Sequence, residues 1–221
     1  MLLEIKNLNK EYKRGSRTFL AVKDIDLSVS PGDFFCIIGK SGSGKSTLLN
    51  LIAGLLLPTS GEILIDGKNI VSLKDNAASY LRNSAIGYIS QGQSVLANLS
   101  VLDNVRLPFY FFKRDGDAKK KALLLLEQVG IGHLADSYPR YLSGGELRRV
   151  AIARSLINNP SILLADEPTS DLDTKTTAET LKLFSEIAKD GTSVLLVTHE
   201  LDTISYGNSV YVMDTGMLNK Q

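Results

Sequence analysis

Residues Gly39–Thr47 read GKSGSGKST. Gly39, Gly42 and Gly44 free the backbone to bend tightly, so that successive N–H groups converge on one point. Lys40, Ser41 and Ser43 lie within the bend. Lys45, Ser46 and Thr47 open a helical stretch whose N-terminus adds positive potential. Bare N–H donors, a lysine and a helix end together suit a chain of phosphates. Lys45 would supply a full charge to the β- and γ-phosphates, and the Ser46 hydroxyl would ligate Mg2+. The spacing is that of G-x-x-x-x-G-K-[ST], and the setting agrees with it, since apolar Phe34–Ile38 precedes the loop and helical LLNLIAG follows. The implied chemistry is nucleotide binding.

A second run narrows the chemistry. Ile162–Glu167 reads ILLADE, an apolar strand that delivers two carboxylates at its C-terminal end. Asp166 is placed to hold Mg2+ through water. Glu167, one residue on, points elsewhere and is suited to orient or deprotonate an attacking water. A third run, Leu142–Glu146, reads LSGGE. Ser143 can cap the helix that follows, and Gly144 and Gly145 leave bare N–H groups, which makes a second anion-binding device of different construction. The helix after it shows an apolar stripe at Leu147, Val150, Ala153, Leu156 and Ile157, with Arg148 and Arg149 off that stripe.

The elements that must position these runs follow from periodicity. Candidate strands are Leu3–Leu8, Phe34–Ile38, Ile63–Asp66, Ile86–Ile89, Ile162–Ala165, Val194–Val197 and Val210–Met213. Several are continuously apolar, as parallel strands covered on both faces are. Helical stretches are expected at Lys45–Ala53, Asp117–Gln128, Gly144–Asn158 and Thr174–Lys189. The fold class is α/β: a P-loop NTPase core with a mostly parallel sheet, an N-terminal antiparallel β part and an inserted helical subdomain. We expect a single domain over 1–221, with 1–90 and 160–221 as the nucleotide-binding core and β part and 91–159 as the helical subdomain.

The GKSGSGKST loop, LSGGE with its continuation LRRVAIARS, and ILLADEPTSDLD together resemble the ATPases of ABC (ATP-binding cassette) transporters. LSGG is that family's diagnostic motif, and the resemblance covers nearly the whole chain. It implies ATP and Mg2+ as ligands, and ATP hydrolysis as the activity. It also implies a homodimer formed on ATP binding, in which each ATP lies between the GKSGSGKST loop of one subunit and the LSGG of the other. Ser143, Gly144 and Gly145 then act in trans, as the self-complementary interface of a two-fold pair allows.

Further residues carry over by position. Gln91, after Ile86–Ile89, matches the glutamine that contacts Mg2+ and water and senses the membrane partner. Ser170–Asp173 matches the segment that crosses the dimer interface, with Asp173 near the nucleotide. His199, after Val194–Val197, matches the switch histidine that touches the γ-phosphate. Tyr12 matches the aromatic that stacks on adenine, with Phe19 nearby. His133 has no comparable context and is assigned no role.

Within the family, the length, RLPFYF at Arg106–Phe111 and the stretch from Glu127 into LSGGE are similar to the macrolide-export and lipoprotein-release ATPases. That likeness implies a separate integral membrane permease as partner, and export or extrusion from the membrane. The alternative is an ATPase regulator of the cell-division type, signalling through a membrane protein without transport. Polar Gly92–Gln93–Ser94 and apolar Val95, Leu96 and Leu99, just after Gln91, mark where a partner is expected to dock.

Composition limits the other readings. Lysine and arginine number 25 against 24 acidic residues, so no net basic surface points to a nucleic-acid partner. The basic triplet Lys119–Lys121 opens a helical stretch and reads as a solvated face. Cys36 is the one cysteine, which excludes an internal disulfide. It reads as a small hydrophobe in a strand. The opening MLLEIKNLNK lacks a signal-peptide layout, and no apolar run reaches the roughly 18–20 residues of a membrane span. The expected location is therefore cytoplasmic, peripheral on the inner face of the cell membrane through the permease.

Overall fold

The computed structural model describes residues 1–92 and 94–221. The Gln93 part of the polar Gly92–Ser94 segment lies outside the described residues. Two sheets are built from ten strands. The first is antiparallel, in the order β2-β1-β4-β5, from β1 (Leu3–Arg14), β2 (Arg17–Val29), β4 (Ser60–Ile65) and β5 (Lys68–Asn69). The second runs β10-β9-β3-β8-β7-β6, from β3 (Phe34–Ile38), β6 (Ile86–Ile89), β7 (Ile162–Asp166), β8 (Ser193–Thr198), β9 (Ser209–Asp214) and β10 (Met217–Lys220). All its neighbours are parallel except β10, an antiparallel edge on β9.

The continuous apolar runs have a direct cause. Side chains alternate across a strand, and both faces of the parallel sheet are covered. Phe35, Ile37, Leu164, Leu195 and Val197 face a core closed by α1 (Lys45–Ile52) and the antiparallel sheet, through Leu48, Leu49, Leu3 and Ile63. Cys36, Leu163, Ala165, Val194 and Leu196 face the opposite core, closed by Phe184 of α6 (Thr174–Lys189) and by helices of the insertion. Cys36 is fully buried in that second core, and burial pushes its thiol up to about 11. It is a packing residue in a strand, as its sequence context predicts.

Between β6 and β7 the described residues hold helices and no strand: α3 (Val101–Arg106), α4 (Ala118–Gln128) and α5 (Gly144–Leu156), with short 3-10 turns. Val105, Leu126 and Val150 pack together in their shared core. Ser100 and Asp117 cap α3 and α4 by accepting from Asp103 N and Lys120 N.

The structure differs from the sequence expectations at several points. The stripe expected on α5 is wider than five positions: Ala151 and Ile152 are buried as well, and Leu147 is only half-buried. Arg148, expected off the stripe, is itself buried. The reason is that α5 is enclosed on several sides, by α3, α4 and β6. A helix α2 (Asp75–Ala85), not among the expected helices, precedes β6; none of its residues is fully buried, and Leu81 and Ala85 pack partly buried against the core. Within the expected N-terminal antiparallel part, strand β1 runs on to Arg14, well past its expected end at Leu8, through an exposed stretch that carries no burial pattern.

Candidate active site

The Gly39–Thr47 loop leaves β3 and enters α1. Gly44 occupies the turn with φ 111°, and a Cβ there would run into the Ala21 carbonyl oxygen. Only glycine serves at such a position. Below the loop, the buried Lys45 ammonium donates to the carbonyls of Gly39 (2.6 Å) and Lys40 (3.1 Å). Ser43 is buried with its Oγ unpartnered among the described residues.

Strand β7 brings its two acids to this loop. The Ser46 hydroxyl donates to Asp166 Oδ1 at 3.1 Å. Burial pushes the Asp166 carboxyl above its ordinary range; the Ser46 hydroxyl and Lys45 oppose that shift, and Glu167 adds to it. Glu167 has φ 47°, uncommon for a residue with a side chain, and is buried. Its N–H donates to Val197 O at 2.9 Å, which ties the turn to β8. One carboxylate oxygen lies 3.7 Å from Lys45 Nζ, and the other lies 3.0 Å from His199 Nδ1. A non-glycine residue held in the left-handed region by a lysine, a histidine and a strand is the kind of strain found at reactive sites.

These groups face a cleft of about 790 Å³, within the usual size of a small-molecule site. Lys40, Ser41, Gly42, Gly44, Lys45, Ser46, Thr47, Gln91, Glu167 and His199 line it, with Ala21 beside Gly44 and with Tyr12 and Phe19 from the β1–β2 hairpin. Tyr12 and Phe19 sit opposite each other on β1 and β2, with ring centroids 5.8 Å apart and planes at 27°. The cleft thus joins one aromatic end to one end rich in N–H, lysine and carboxylate groups. Phe19, noted beside Tyr12 in the sequence, joins the lining, and Ala21 extends it further. Their position opposite Tyr12 is set by the hairpin register, which the residues themselves do not announce.

The donor set fits the cation. No cluster of three or more His, Cys, Asp or Glu capable of holding a metal occurs among the described residues. Mg2+ does not need one, because it is usually held by one or two protein oxygens together with substrate phosphates. The adjacent Ser46 hydroxyl and Asp166 carboxylate supply hard oxygen donors of that kind.

Of the sequence-identified residues, Gly39 and Ser43 belong to the loop, and Asp166 bonds to it, without lining the cleft, and four others lie elsewhere. Ser143, Gly144 and Gly145 do not line the cleft, and neither does Asp173. Ser143 caps α5 in a capping box: its Oγ accepts from Glu146 N (3.4 Å), while Glu146 Oε2 accepts from Ser143 N (2.7 Å) and from its hydroxyl (2.8 Å). Those two contacts to Ser143 hold the Glu146 carboxyl below the usual range. Gly145 has a packing reason of its own, since a Cβ there would lie 2.6 Å from the Thr176 methyl. Asp173 caps α6, accepting from the N–H of Lys175 and Thr176 and from the Thr176 hydroxyl.

Around Gln91, two contacts escaped sequence reasoning. Arg154 of α5 donates to Ser94 O and Ser94 Oγ, at 2.8 and 3.0 Å. The wholly buried Asn104 side chain bonds Leu96, Leu99 and Ser100 and so fixes that segment. Beside it runs a groove of about 570 Å³ between α2, β6 and α5, lined by Arg82, Tyr88, Phe111, Phe112 and Arg154 among others. Val95, Leu96 and Leu99, expected to line the docking surface, do not line this groove. Val95 packs on the core, and Leu96 is 46% exposed.

Known proteins agree with the class that this site defines. The ABC transporter family matches residues 22–170. The chain is 40% identical over 98% of its length to the macrolide export ATP-binding/permease protein MacB of Chlorobium luteolum, and spans 33% of that relative. It is 40% identical over 97% of its length to the lipoprotein-releasing system ATP-binding protein LolD of Saccharophagus degradans, covering 95% of that protein. A dimeric, post-hydrolysis structure of the ATP-binding cassette MJ0796 bound to ADP and Pi superposes with a TM-score of 0.90 at 37% identity, over 99% of this chain and 98% of that one. The chain belongs to the ABC transporter family and is an ATP-binding cassette.

Proposed function

We propose that the chain hydrolyses ATP at this cleft as one of two paired cassettes, and that the cycle drives a membrane permease. The carrying observation is a division of labour. One anion-binding loop, Gly39–Thr47, lines the cleft with Glu167, Gln91 and His199, while a second, the capped N-terminus of α5 at Ser143–Gly145, lies outside it. Two copies related by a two-fold axis satisfy both loops at both sites. Asp173 belongs to the segment that meets the partner, and the domain acts as one unit over 1–221 with 91–159 as its helical part.

In this reading Lys45 and the loop N–H groups hold the terminal phosphates, Tyr12 and Phe19 receive the base, and Ser46, Asp166 and Gln91 hold Mg2+. That ion, when bound, neutralises charge that builds on the phosphates. Glu167 orients the attacking water and takes its proton, and His199 holds Glu167 through Nδ1. Ser143→Ala tests the trans contact. Nucleotide affinity of the purified chain should stay within about threefold while turnover falls at least tenfold, as when one stabilising donor is lost. Fluorescent-nucleotide titration beside phosphate release reads both, and full activity in this variant would contradict the paired site.

The permease reading is supported by the MacB relative, whose description joins ATP-binding and permease functions and of which this chain matches a third. The LolD likeness supports extrusion from the membrane as the direction. No helix among the described residues is long and apolar enough to cross a membrane. The groove beside Gln91, with exposed Phe111 on its wall, is the surface we assign to a permease helix. A partner there can set the hydrolysis rate only by binding two states of the cassette pair unequally. Phe111→Glu on the groove wall, and Leu96→Glu on the exposed segment after Gln91, should leave basal ATPase largely intact and abolish stimulation by the permease reconstituted in lipid. Equal loss of both activities would contradict a docking role for these exposed side chains.

A further inference from the structure

We propose that Glu200 is a positioning residue for hydrolysis, acting through Thr169 on the turn that carries Glu167. The inference rests on the reading of Glu167 as the group that activates water. Two loops leave the C-terminal ends of neighbouring strands β7 and β8, and three groups of contacts tie them together. Two involve Glu167 itself: its N–H on Val197 O, and its carboxylate, which lies beside His199 Nδ1 and accepts from His199 N (3.4 Å). The third lies behind the cleft, where the Thr169 hydroxyl donates to Glu200 Oε2 at 2.6 Å. Neither Thr169 nor Glu200 lines the cleft.

This third contact has the features of an anchor. Thr169 is completely buried, so its hydroxyl cannot exchange this partner for bulk water. The acceptor is a carboxylate, which makes the bond short and strong. Glu200 is fixed in turn at its backbone: its N–H donates to Thr198 Oγ1 (3.1 Å), and its carbonyl accepts from Thr203 Oγ1 (2.7 Å). Thr198 and Thr203 are both fully buried. The carboxylate is therefore presented from a rigid base.

The turn it holds is strained on both sides of Thr169. Glu167 sits at φ 47° and Asp171 at φ 66°, both in the left-handed region. Within the turn, Ser170 N and Oγ donate to Glu167 O, and Leu172 N donates to Thr169 O. Displacing Thr169 therefore displaces the Glu167 carboxylate and the Ser170–Asp173 segment together. The phosphate loop is built on β3 and α1 and meets these segments mainly at Lys45 Nζ, 3.7 Å from Glu167, and at Gly39 N, which donates to Thr198 O, while its backbone cradle is held by bonds of its own. Loss of the anchor should lower turnover and spare nucleotide binding.

The test uses the full chain, with kcat, KM for ATP, fluorescent-nucleotide affinity and thermal melting measured together. Thr169→Val keeps the shape and removes the donor, and kcat should fall about tenfold or more, since misplacement near 1 Å costs up to about 10²-fold. KM and affinity should stay within about twofold on the same argument. Thr169→Ser should restore kcat, because it returns the hydroxyl. Glu200→Ala should match Thr169→Val, and the double variant should lose no more than either single one, since both remove one bond. Glu167→Gln runs alongside. If Glu167→Gln is inactive while Thr169→Val and Glu200→Ala keep wild-type kcat, the positioning role is wrong and the hydrolytic reading stands. If Glu167→Gln is fully active, the hydrolytic reading itself fails. Parallel loss of kcat, affinity and melting temperature would make Thr169 a fold residue and overturn the inference. Should Thr169→Val not fold, Glu200→Ala decides alone: reduced kcat with intact affinity supports the role, and unchanged kcat refutes it.

Discussion

Glu167→Gln is expected to lower the turnover number for ATP by about 10²–10⁴-fold, the usual cost of removing a general base, while nucleotide still binds. The carboxylate stands at the end of β7, buried, with one oxygen near Lys45 Nζ and the other at His199 Nδ1. Glutamine has nearly the same shape and still offers an oxygen to the histidine. It cannot accept the proton that an attacking water must give up. Asp166 and the phosphate loop are untouched, so affinity for ATP should be retained. Single-turnover phosphate release beside nucleotide titration separates the two quantities. A variant that loses binding as severely as turnover would show Glu167 to be holding the loop through Lys45.

Lys45→Ala carries the second large effect, on binding. The ammonium is 6% exposed and sits under the loop on the Gly39 and Lys40 carbonyls. Truncating one partner of a buried, charged hydrogen-bonded pair costs about 2–5 kcal/mol in binding. That corresponds to roughly 30- to 5,000-fold in Kd. The substitution removes both the charge meant for the terminal phosphates and the brace that supports the loop from below. Isothermal titration with ATP should show the loss, with the melting temperature reporting on the brace. A Kd within threefold of wild type would mean that the backbone N–H groups of the loop suffice and that the lysine has another role.

The parts of the fold that sequence predicts are those where burial is two-sided and long. The parallel strands Phe34–Ile38, Ile162–Asp166 and Ser193–Thr198 are unbroken apolar runs because both faces meet a core. The start of β1 was legible for the same reason, since Leu3, Ile5 and Leu8 are buried, whereas its exposed continuation to Arg14 was not marked as strand. Helix α2, whose Leu81 and Ala85 are only partly buried, was not among the expected helices. On α5, the apolar stripe understated the burial, because the helix is enclosed by three neighbours and takes Arg148 inside.

At the site, residues tied to a sequence motif were legible, and residues tied only through space were not. Lys45, Ser46, Asp166, Glu167, Gln91, His199 and Tyr12 were each predicted from a motif or a strand end, and the structure brings the side chains of all but Asp166 to one cleft, with Asp166 bonded to Ser46 at its edge. Phe19, Ala21, the Arg154–Ser94 pair and the Thr169–Glu200 bond are set by strand register and helix packing. No spacing along the chain encodes them. The groove beside that segment was not legible either, since its wall is built by Phe111 and Phe112 from the 3-10 turn after α3.

The paired site is tested most directly by the mass of Glu167→Gln in solution, by size-exclusion chromatography with light scattering, with and without ATP. Turnover is blocked in this variant, so an ATP-held pair accumulates instead of dissolving after hydrolysis. At tens of micromolar protein and saturating ATP, the account predicts a species of twice the 24.0 kDa chain mass, reverting to single mass when ATP is removed. A second substitution, Ser143→Ala, should weaken that species without weakening nucleotide binding. A particle that stays at single mass with ATP demonstrably bound would contradict the account.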